Sequence, residues 1–317
     1  MRILVTGADG FIGGHLTRTL EARGHEYRAA VRSLAGQGDP RRVAVGEVGP
    51  RTEWQAALEG VDVVVHLAAR AHILRETASD PRGQFMRVNA DGTGQLASAA
   101  SRAGVRRFIY MSTIGVHGNT SGTAAISASS PLEPHNLYAQ SKLAGETAAA
   151  QAAGSALALA IVRPPLVYGS GVRANFLRFL RWVDHGWPTP FGAIHNRRSL
   201  VSVWNLVDLL QQLCERDLPE ERAWVVSDGE DVSTADLARR LARALGRAPR
   251  LLAVPPAVLE ALARLSGRHA ELHALCGSLV VDMSATCAKL QWSPPLTLTA
   301  GLERTVRWYH GTKDHAR

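Results

Sequence analysis

Cysteine is scarce in this chain of 317 residues, which contains three: Cys214, Cys276 and Cys287. Their odd number and wide spacing argue against a disulfide framework and against a zinc site, so we predict no metal centre. The first residues, Met1–Val5, are soon followed by glycine and do not form a signal peptide. A chain of this kind fits a reducing compartment, and we predict a cytoplasmic protein.

Long apolar runs are also missing. No stretch of about 20 apolar residues occurs, so we expect no membrane span. Charged residues make up 20% of the chain and apolar residues 46%, which excludes wholesale disorder and provides material for a hydrophobic core. At about 100–200 residues per domain, the length fits one large α/β domain or two smaller ones.

Lysine is nearly absent from a basic chain. Lys and Arg number 36 against 28 Asp and Glu, a net charge of +8, and all the cations except Lys142, Lys289 and Lys313 are arginine. Arginine favours bidentate contact with phosphate or carboxylate, so phosphate-bearing partners are the first to consider. No nucleic-acid-binding motif accompanies the charge, and we predict no nucleic-acid partner.

Strands and helices alternate over residues 1–165. The predicted strands are 3–5, 26–31, 61–67, 107–112 and 157–163, and the predicted helices are 11–23, 53–59, 90–103 and 138–153. Continuous Val/Leu runs suit strands buried on both faces of a parallel sheet, and the alternation is typical of a doubly wound α/β fold. We predict a Rossmann-type domain over residues 1–165, to which residues 199–227 return, and a smaller, mostly helical substrate-binding lobe over 166–317.

Three glycines follow the first predicted strand at intervals of three residues. Gly7, Gly10 and Gly13 lie where that strand passes into a helix. A side chain at these positions would block the approach of the backbone to a pyrophosphate, whose charge then rests on the helix N-terminus. The loop therefore predicts a dinucleotide-binding site.

This glycine spacing resembles that of the extended short-chain dehydrogenase/reductases, the NAD-dependent epimerase/dehydratase family. The similarity continues through Val64–Ala69, Val88–Thr93, Tyr138-x-x-x-Lys142 and Arg163–Gly169, and it covers nearly the whole chain. The resemblance implies a homodimer. It also implies cofactor contacts for Phe11, Ile12, Leu67, Ala68, Ala69, Asn89, Ser112 and Pro165.

The end of the second predicted strand bears on the choice of cofactor. NAD enzymes place Asp or Glu there, about 20 residues beyond the glycines, to hold the ribose hydroxyls. Here the strand ends Ala30-Val31-Arg32-Ser33, and Arg32 can instead pair with a 2′-phosphate. We therefore favour NADP(H), with NAD(H) as the alternative. Glu47 and Val48 fit the place where the family has Asp and an apolar residue against the adenine.

Tyr138 and Lys142 are four residues apart on a predicted helix, so their side chains share one face. A free tyrosine has a pKa of about 10 and is a poor base at neutral pH, whereas a nearby ammonium favours the phenolate. The resemblance makes these two residues the acid/base pair. It also aligns Thr113 as the hydroxyl that holds the substrate oxygen, with Ser112 on the cofactor side, and it places His117 where the family has tyrosine.

The residues after Thr113 narrow the reaction. Sugar-nucleotide 4,6-dehydratases resemble this sequence but carry Asp-Glu there, where this chain has Ile114 and Gly115, which cannot transfer a proton. The cysteine that the epimerase-reductases of the fucose pathway place in this loop is also missing. Epimerisation at C4 and reduction of a ketone remain.

The predicted lobe carries candidate substrate contacts. Similar enzymes bind a nucleoside diphosphate at the position of Asn175. Phe176 follows it and is also a candidate substrate contact. The run Arg197–Asn205 resembles the family's Arg-Asp-x-x-x-Val-x-Asp, which puts Arg198 on the pyrophosphate and Asn205 in place of the last aspartate. The resemblance implies a nucleotide-sugar substrate, with UDP preferred to dTDP or GDP.

We predict an oxidoreductase of polysaccharide biosynthesis that acts at C4 of a UDP-hexose derivative. Arg32 favours a 4-keto reductase, in which NADPH delivers hydride, Tyr138 protonates the alkoxide and Lys142 orients the nicotinamide ribose. The alternative is a 4-epimerase of UDP-glucose or UDP-GlcNAc with bound NAD. Further alternatives are a reductase of a small non-sugar ketone, against which Arg198 and Asn175 argue, and a non-catalytic cofactor-binding subunit.

Overall fold

A computed structural model describes residues 1–34, 38–71, 79–219, 222–267 and 269–314. Its strands are β1 (Arg2–Thr6), β2 (Glu26–Val31), β3 (Arg42–Ala44), β4 (Val63–His66), β5 (Arg107–Met111), β6 (Ala158–Arg163), β7 (Leu166–Tyr168), β8 (Arg198–Ser202), β9 (Ala223–Val225) and β10 (Asp231–Val232).

Twelve α-helices join these strands within the described ranges. They are α1 (Phe11–Ala22), α2 (Gln55–Leu58), α3 (Pro81–Met86), α4 (Gly92–Arg102), α5 (Leu137–Ala153), α6 (Ala174–Asp184), α7 (Val203–Glu215), α8 (Thr234–Ala244), α9 (Pro256–Leu265), α10 (His269–Cys276), α11 (Ser284–Leu290) and α12 (Leu298–Asp314). A π-helical turn spans Arg87–Asp91, and a 3-10 turn spans Ile114–His117. None of these helices is both long and apolar enough to cross a membrane.

Seven strands form one parallel sheet in the order β3-β2-β1-β4-β5-β6-β9. Its central strands are apolar and buried, as the Val/Leu runs predict, because helices cover both faces. Leu16 and Leu20 of α1 lie in the core of one face with α7, and Leu96 of α4 lies in the other core with Ala149 of α5. The predicted doubly wound Rossmann fold is confirmed.

Three stretches differ from the sequence-based expectation. β3 was not predicted, because Arg42-Val43-Ala44 has no apolar run and pairs only at the sheet edge. The helix predicted to begin at Ala90 begins at Gly92, after the π-helical turn. Beyond Pro165 the chain enters β7 directly, and β7 pairs with β8 in a separate three-stranded sheet completed by β10.

The segment 199–227 is divided between the two sheets. β9 lies beside β6 in the seven-stranded sheet, and α7 packs against α1 below it. β8 belongs to the small sheet instead. A separate apolar core, which contains Phe179, Leu241 and Leu302, lies between α6, α8 and α12.

Candidate active site

The glycine-rich loop lies where the order of the sheet reverses, between β1 and β4. Gly7 has a positive φ of +66°, and a Cβ there would lie 2.9 Å from the backbone nitrogen of Ala68. A Cβ on Gly13 would lie 2.1 Å from the carbonyl oxygen of Gly7. These two glycines are therefore required by the close approach of the protein's own backbone.

Gly10, the glycine between these two, leaves the N-terminus of α1 without a side-chain cap. Gly10 is exposed, and as the N-cap of α1 it provides no side chain to accept the first N–H groups of the helix. An uncapped helix N-terminus at the switch point of a parallel sheet suits a pyrophosphate. Phe11 and Ile12, predicted to contact the cofactor, are the first two residues of this helix.

A buried histidine holds the neighbouring loop against the glycines. The hydroxyl of Thr6 accepts hydrogen bonds from the backbone N–H groups of Leu67 and Ala68, both at 3.1 Å, so its own proton goes to Nδ1 of His66, 2.7 Å away. Nε2 of His66 then donates to Thr93, whose hydroxyl donates to the carbonyl of Asn89. Burial lowers the pKa of His66 to about 3, which keeps it neutral.

The predicted contacts of the adenosine end lie on the edge of the sheet. Arg32 is exposed directly beyond β2 and makes no ion pair with any described residue. Glu47 is exposed, and Val48 packs against Gly92, where a Cβ would lie 2.8 Å from its Cγ1. Arg42 of β3, which was not predicted as a site residue, forms an ion pair with Asp9 of the glycine loop at 2.6 Å.

The predicted cofactor residue Asn89 lies in the π-helical turn and is completely buried. Its side-chain oxygen accepts from the backbone N–H of Arg70 at 2.8 Å, and its amide donates to the hydroxyl of Ser141 at 2.9 Å. The side chain thus joins the loop after β4, which includes Ala69, to helix α5. Its contact with a cofactor stays a prediction.

Gly145 lets α5 approach this turn. A Cβ at Gly145 would lie 2.2 Å from the carbonyl oxygen of Asn89 and 2.2 Å from the hydroxyl of Tyr110. We expect Gly145→Ala to lower the free energy of unfolding by about 1–3 kcal/mol, because overpacking outweighs the helix propensity of alanine.

Urea unfolding measures this effect, and Gly311→Ala is the matched control. Gly311 is also helical, but outside its own helix backbone no heavy atom of the described residues lies within 4 Å of its Cβ position, so alanine there should stabilise the protein by up to about 1 kcal/mol. An equal effect of both substitutions would contradict the packing seen at Gly145.

Tyr138 and Lys142 lie on the first two turns of α5, whose N-cap Asn136 accepts from the backbone N–H of Ala139 at 2.8 Å. Lys142 is 1% exposed, and its Nζ lies 4.0 Å from the centre of the Tyr110 ring. The ring of Tyr138 contacts Phe85 edge-on, with centroids 6.4 Å apart.

Burial governs the pKa of both members of this pair. It raises the pKa of Tyr138 to about 12 and lowers the pKa of Lys142 to about 7, while the carboxylate of Glu146 acts in the opposite direction on Lys142. Desolvation disfavours the charged phenolate and sets the pKa of Tyr138, and the effect of the lysine charge on it stays a prediction. At neutral pH Tyr138 is a phenol, which can donate a proton.

Thr113 lies beside the start of α5. It caps the 3-10 turn, and its Oγ1 accepts from the backbone N–H of Gly115 at 3.2 Å, which leaves its own proton for another acceptor. A Cβ at Gly115 would lie 3.6 Å from the Cβ of Ala139, so this turn packs on the first turn of α5, which also carries Tyr138.

His135 fills the space next to Gly115. Its Cε1 lies 3.4 Å from the position of a Cβ on Gly115, the place where the sugar-nucleotide dehydratases carry Glu. His135 was not predicted as a site residue, although it stands three residues before Tyr138. The exposed imidazole of His135 therefore lies next to the position that Gly115 occupies.

A buried polar network adjoins Lys142 on helix α5. Glu146, one turn after Lys142, accepts the hydroxyl proton of Ser112 and forms a two-point ion pair with Arg163, with contacts of 2.5 and 3.0 Å. Arg163 also donates to Nε2 of His117 at 3.0 Å. Nδ1 of His117 donates to the carbonyl of Pro131 at 3.0 Å, so this histidine is neutral.

This network fastens three elements to one another. Ser112 follows β5, Arg163 ends β6 and Glu146 belongs to α5, so the strand end that carries Thr113 and the helix that carries Tyr138 are tied together. The hydroxyl of Ser112 points to Glu146, and its cofactor contact stays a prediction. Pro165 is buried next to Pro164, whose carbonyl accepts from the backbone N–H of Ile114 at 2.9 Å.

The two predicted substrate residues of α6 differ in their exposure to solvent. Asn175 is exposed and accepts a hydrogen bond from Arg178 at 2.7 Å. Phe176 is buried and stacks on Tyr168 with ring centroids 5.3 Å apart, so its side chain belongs to the core of the lobe. Ala174, just before them, has a positive φ of 53°, a strained conformation for a residue with a Cβ.

Arg198 lies at the start of β8 and is partly buried. Its Nη1 donates to the carbonyl oxygen of Gly277 at 2.8 Å, and burial lowers the pKa of its guanidinium. The side chain of Asn205 is buried and binds other residues of the chain. Its amide donates to Asp228 at 2.6 Å and to the carbonyl of Leu296 at 2.8 Å, which links α7 to the chain before α12.

Comparison with known proteins agrees with this geometry. The model of the NAD dependent epimerase/dehydratase family matches residues 3–227. The chain belongs to this family. It is 38% identical to UDP-glucose 4-epimerase of Vibrio cholerae over 309 residues, 96% of this chain and 94% of that protein.

One further curated protein and one solved structure are also similar to this chain. Over 81% of this chain and 73% of that protein it is 28% identical to 3 beta-hydroxysteroid dehydrogenase/Delta 5-->4-isomerase of Mycobacterium tuberculosis. The structure of MoeE5 in complex with UDP-glucuronic acid and NAD has a TM-score of 0.78 and 23% identity, and the match covers 98% of this chain and 100% of MoeE5.

Membership of the NAD-dependent epimerase/dehydratase family makes this chain an enzyme of the extended short-chain dehydrogenase/reductase type, as predicted. The dinucleotide bound to MoeE5 is NAD, so the predicted preference for NADP(H) is not supported. In this family member the open N-terminus of α1 and the glycine loop fit a dinucleotide.

Proposed function

We propose that this chain is an NAD-dependent 4-epimerase of a UDP-hexose. The observation that carries the proposal is the turn of Thr113: its hydroxyl keeps its proton for another acceptor and the turn packs on the start of α5, whereas Gly115 stands where elimination would need a carboxylate. The 38% identity with a UDP-glucose 4-epimerase over nearly the whole chain supports the choice of substrate.

The residues of the chain divide the work at C4. Bound NAD would supply the acceptance and return of hydride. Tyr138 takes the proton of the C4 hydroxyl when the sugar is oxidised and returns it when the ketone is reduced. Thr113 donates a hydrogen bond to the same oxygen and orients it, and Lys142 holds the nicotinamide ribose. Asn175 and Arg198 bind the diphosphate of the substrate.

The oxidative half of the epimerisation needs Tyr138 as a phenolate, and the reductive half needs it as a phenol. With a pKa near 12, the phenol is ready to protonate the alkoxide, whereas proton abstraction needs a lower pKa. Charge on Lys142 stabilises the phenolate, and the carboxylate of Glu146 favours that charge. Glu146 thereby supports the oxidative half of the reaction through Lys142.

Incubation of the purified protein with UDP-glucose, and separately with UDP-GlcNAc, tests the proposal. We expect the C4 epimer to accumulate to equilibrium with no net consumption of cofactor, as followed by proton NMR. Absence of the epimer from both incubations would contradict it.

A 4-keto reductase that uses NADPH is the second candidate. The observation that favours it is Arg32, which is exposed beyond β2 at the position that faces the adenosine ribose in this family. If a UDP-4-keto-6-deoxyhexose consumes NADPH in stoichiometric amounts and no epimer forms, this candidate replaces the first. The homodimer, the cytoplasmic location and the role in polysaccharide biosynthesis stay predictions.

A further inference from the structure

Helix α9 is apolar on its outer as well as its inner side. Two of its ten residues, Leu259 and Ala263, are buried, and six of the eight exposed ones are apolar. Leu262 is 57% exposed and Leu265 is 87% exposed. A helix that is hydrophobic all round is normally buried, so the outer side of α9 is expected to be covered.

A tryptophan pair adjoins the segment that leads into α9. The rings of Trp182 on α6 and Trp187 in the following turn lie 6.0 Å apart, and Trp187 is 57% exposed. Thr189 exchanges backbone hydrogen bonds of 2.8 and 2.9 Å with residues 250 and 252, four residues before α9 begins. We call the exposed residues of this region the apolar face: Trp182, Trp187, Leu252, Val258, Leu262 and Leu265.

The segments that form the apolar face are rich in arginine. On α6 the exposed positions 178, 181, 182 and 185 form one stripe, so Trp182 has Arg178 and Arg181 as direct neighbours. Residues 174–192 and 247–265 together contain five arginines and two acidic residues. Both acids are already paired with arginine, Asp184 with Arg247 at 3.0 Å and Glu260 with Arg264 at 2.5 Å. The region is therefore cationic.

We propose that the apolar face docks on the surface of a bilayer that contains anionic phospholipid. Exposed tryptophan bordered by arginine is typical of the membrane interface, where the rings lie at headgroup level and the guanidinium groups meet phosphate. α9 is about 15 Å long, half of what a span would need, so it lies in the interface plane. A second copy of the chain is the poorer partner, because symmetric pairing would bring like charges together.

Co-sedimentation with vesicles tests this docking. The full-length protein should bind vesicles of mixed phosphatidylcholine and phosphatidylglycerol and bind pure phosphatidylcholine more weakly. Leu262→Ser/Leu265→Ser should lower binding to the mixed vesicles by about tenfold, because two exposed apolar side chains are lost. Arg181→Gln should lower it by about fivefold and leave binding to phosphatidylcholine nearly unchanged.

Matched controls lie close to the ends of β2 and α4, in the seven-stranded sheet and its helices, and not on α6 or α9. Leu34→Ser, at a leucine that is 55% exposed beyond β2, and Arg102→Gln, at the end of α4, should bind vesicles as the unmodified protein does. Turnover of a soluble substrate, which reports the proposed function separately, should be unaffected by Leu262→Ser/Leu265→Ser.

Three results would overturn the proposal. They are no vesicle binding by the unmodified protein, equal binding by the Leu262/Leu265 double variant, or a lipid-free dimer that this variant dissociates, which would assign the face to a subunit interface. Sedimentation velocity without vesicles detects the last of these.

Discussion

Replacing Tyr138 with phenylalanine should lower kcat by about 10²–10⁴-fold while the protein still folds and binds NAD. The variant keeps the aromatic ring and its edge contact with Phe85, so helix α5 should keep its position. It loses the hydroxyl that transfers the C4 proton. Turnover of the UDP-sugar measures the first effect, and a fluorescence titration with NADH measures the second.

Tyr110→Phe is the matched control. Tyr110 is also buried, lies under Nζ of Lys142 and donates its hydroxyl proton toward the carbonyl of Asn89 at 3.1 Å. Phenylalanine there should cost about 1–2 kcal/mol of stability and leave turnover within about tenfold. Comparable loss of activity in both variants, or substantial turnover by Tyr138→Phe, would contradict the role given to Tyr138.

Removing the carboxylate of Glu146 should have the largest effect on stability. Glu146 and Arg163 are both nearly inaccessible to solvent, and without the carboxylate Arg163 keeps its hydrogen bonds to His117 and to the carbonyl of Ala128 but loses the negative charge that faces it. We expect Glu146→Ala to lower the free energy of unfolding by about 3–5 kcal/mol, the cost of an uncompensated buried charge. Urea unfolding measures it.

Glu26→Ala is the control for this prediction. The ion pair of Glu26 with Arg2 has a similar length, 3.0 Å, but is exposed, and its loss should cost less than about 1 kcal/mol. Equal losses in the two variants would show that burial does not set the energy of the Glu146–Arg163 pair.

The same carboxylate also predicts a change in pH dependence. Because Glu146 raises the pKa of Lys142 against the effect of burial, its removal leaves Lys142 less charged at a given pH. In Glu146→Gln, which preserves the size of the side chain, we expect the alkaline limb of the kcat profile to move to lower pH. A purely structural role for Glu146 would lower kcat at all pH values alike.

The sequence was sufficient for the features that depend on local spacing. The glycine loop, the alternation of strands and helices and the pair Tyr138–Lys142 are all short-range patterns, and their place in the fold follows from the topology of parallel sheets. Glu146 could also have been found in this way, because it continues the same face of α5 at the next turn after Lys142.

The remaining features depend on contacts that spacing does not encode. His117 and Arg163 are 46 residues apart in the sequence, and the bond between them joins the 3-10 turn after β5 to the end of β6. The pKa of Tyr138 depends on burial, which acts against the effect expected from a nearby lysine. The exposed outer side of α9 could not be predicted either, because an apolar run indicates burial and does not show which side of a helix is exposed.

Hydride removal and return at a single carbon is the central claim, and a substrate labelled with deuterium at C4 tests it most directly. After conversion of this UDP-glucose in ordinary water, NMR of the epimer shows where the label is. We predict that the deuterium stays at C4 of the product, because the same hydride is taken up and given back. Loss of the label to solvent, with a proton from water at C4, would contradict the account.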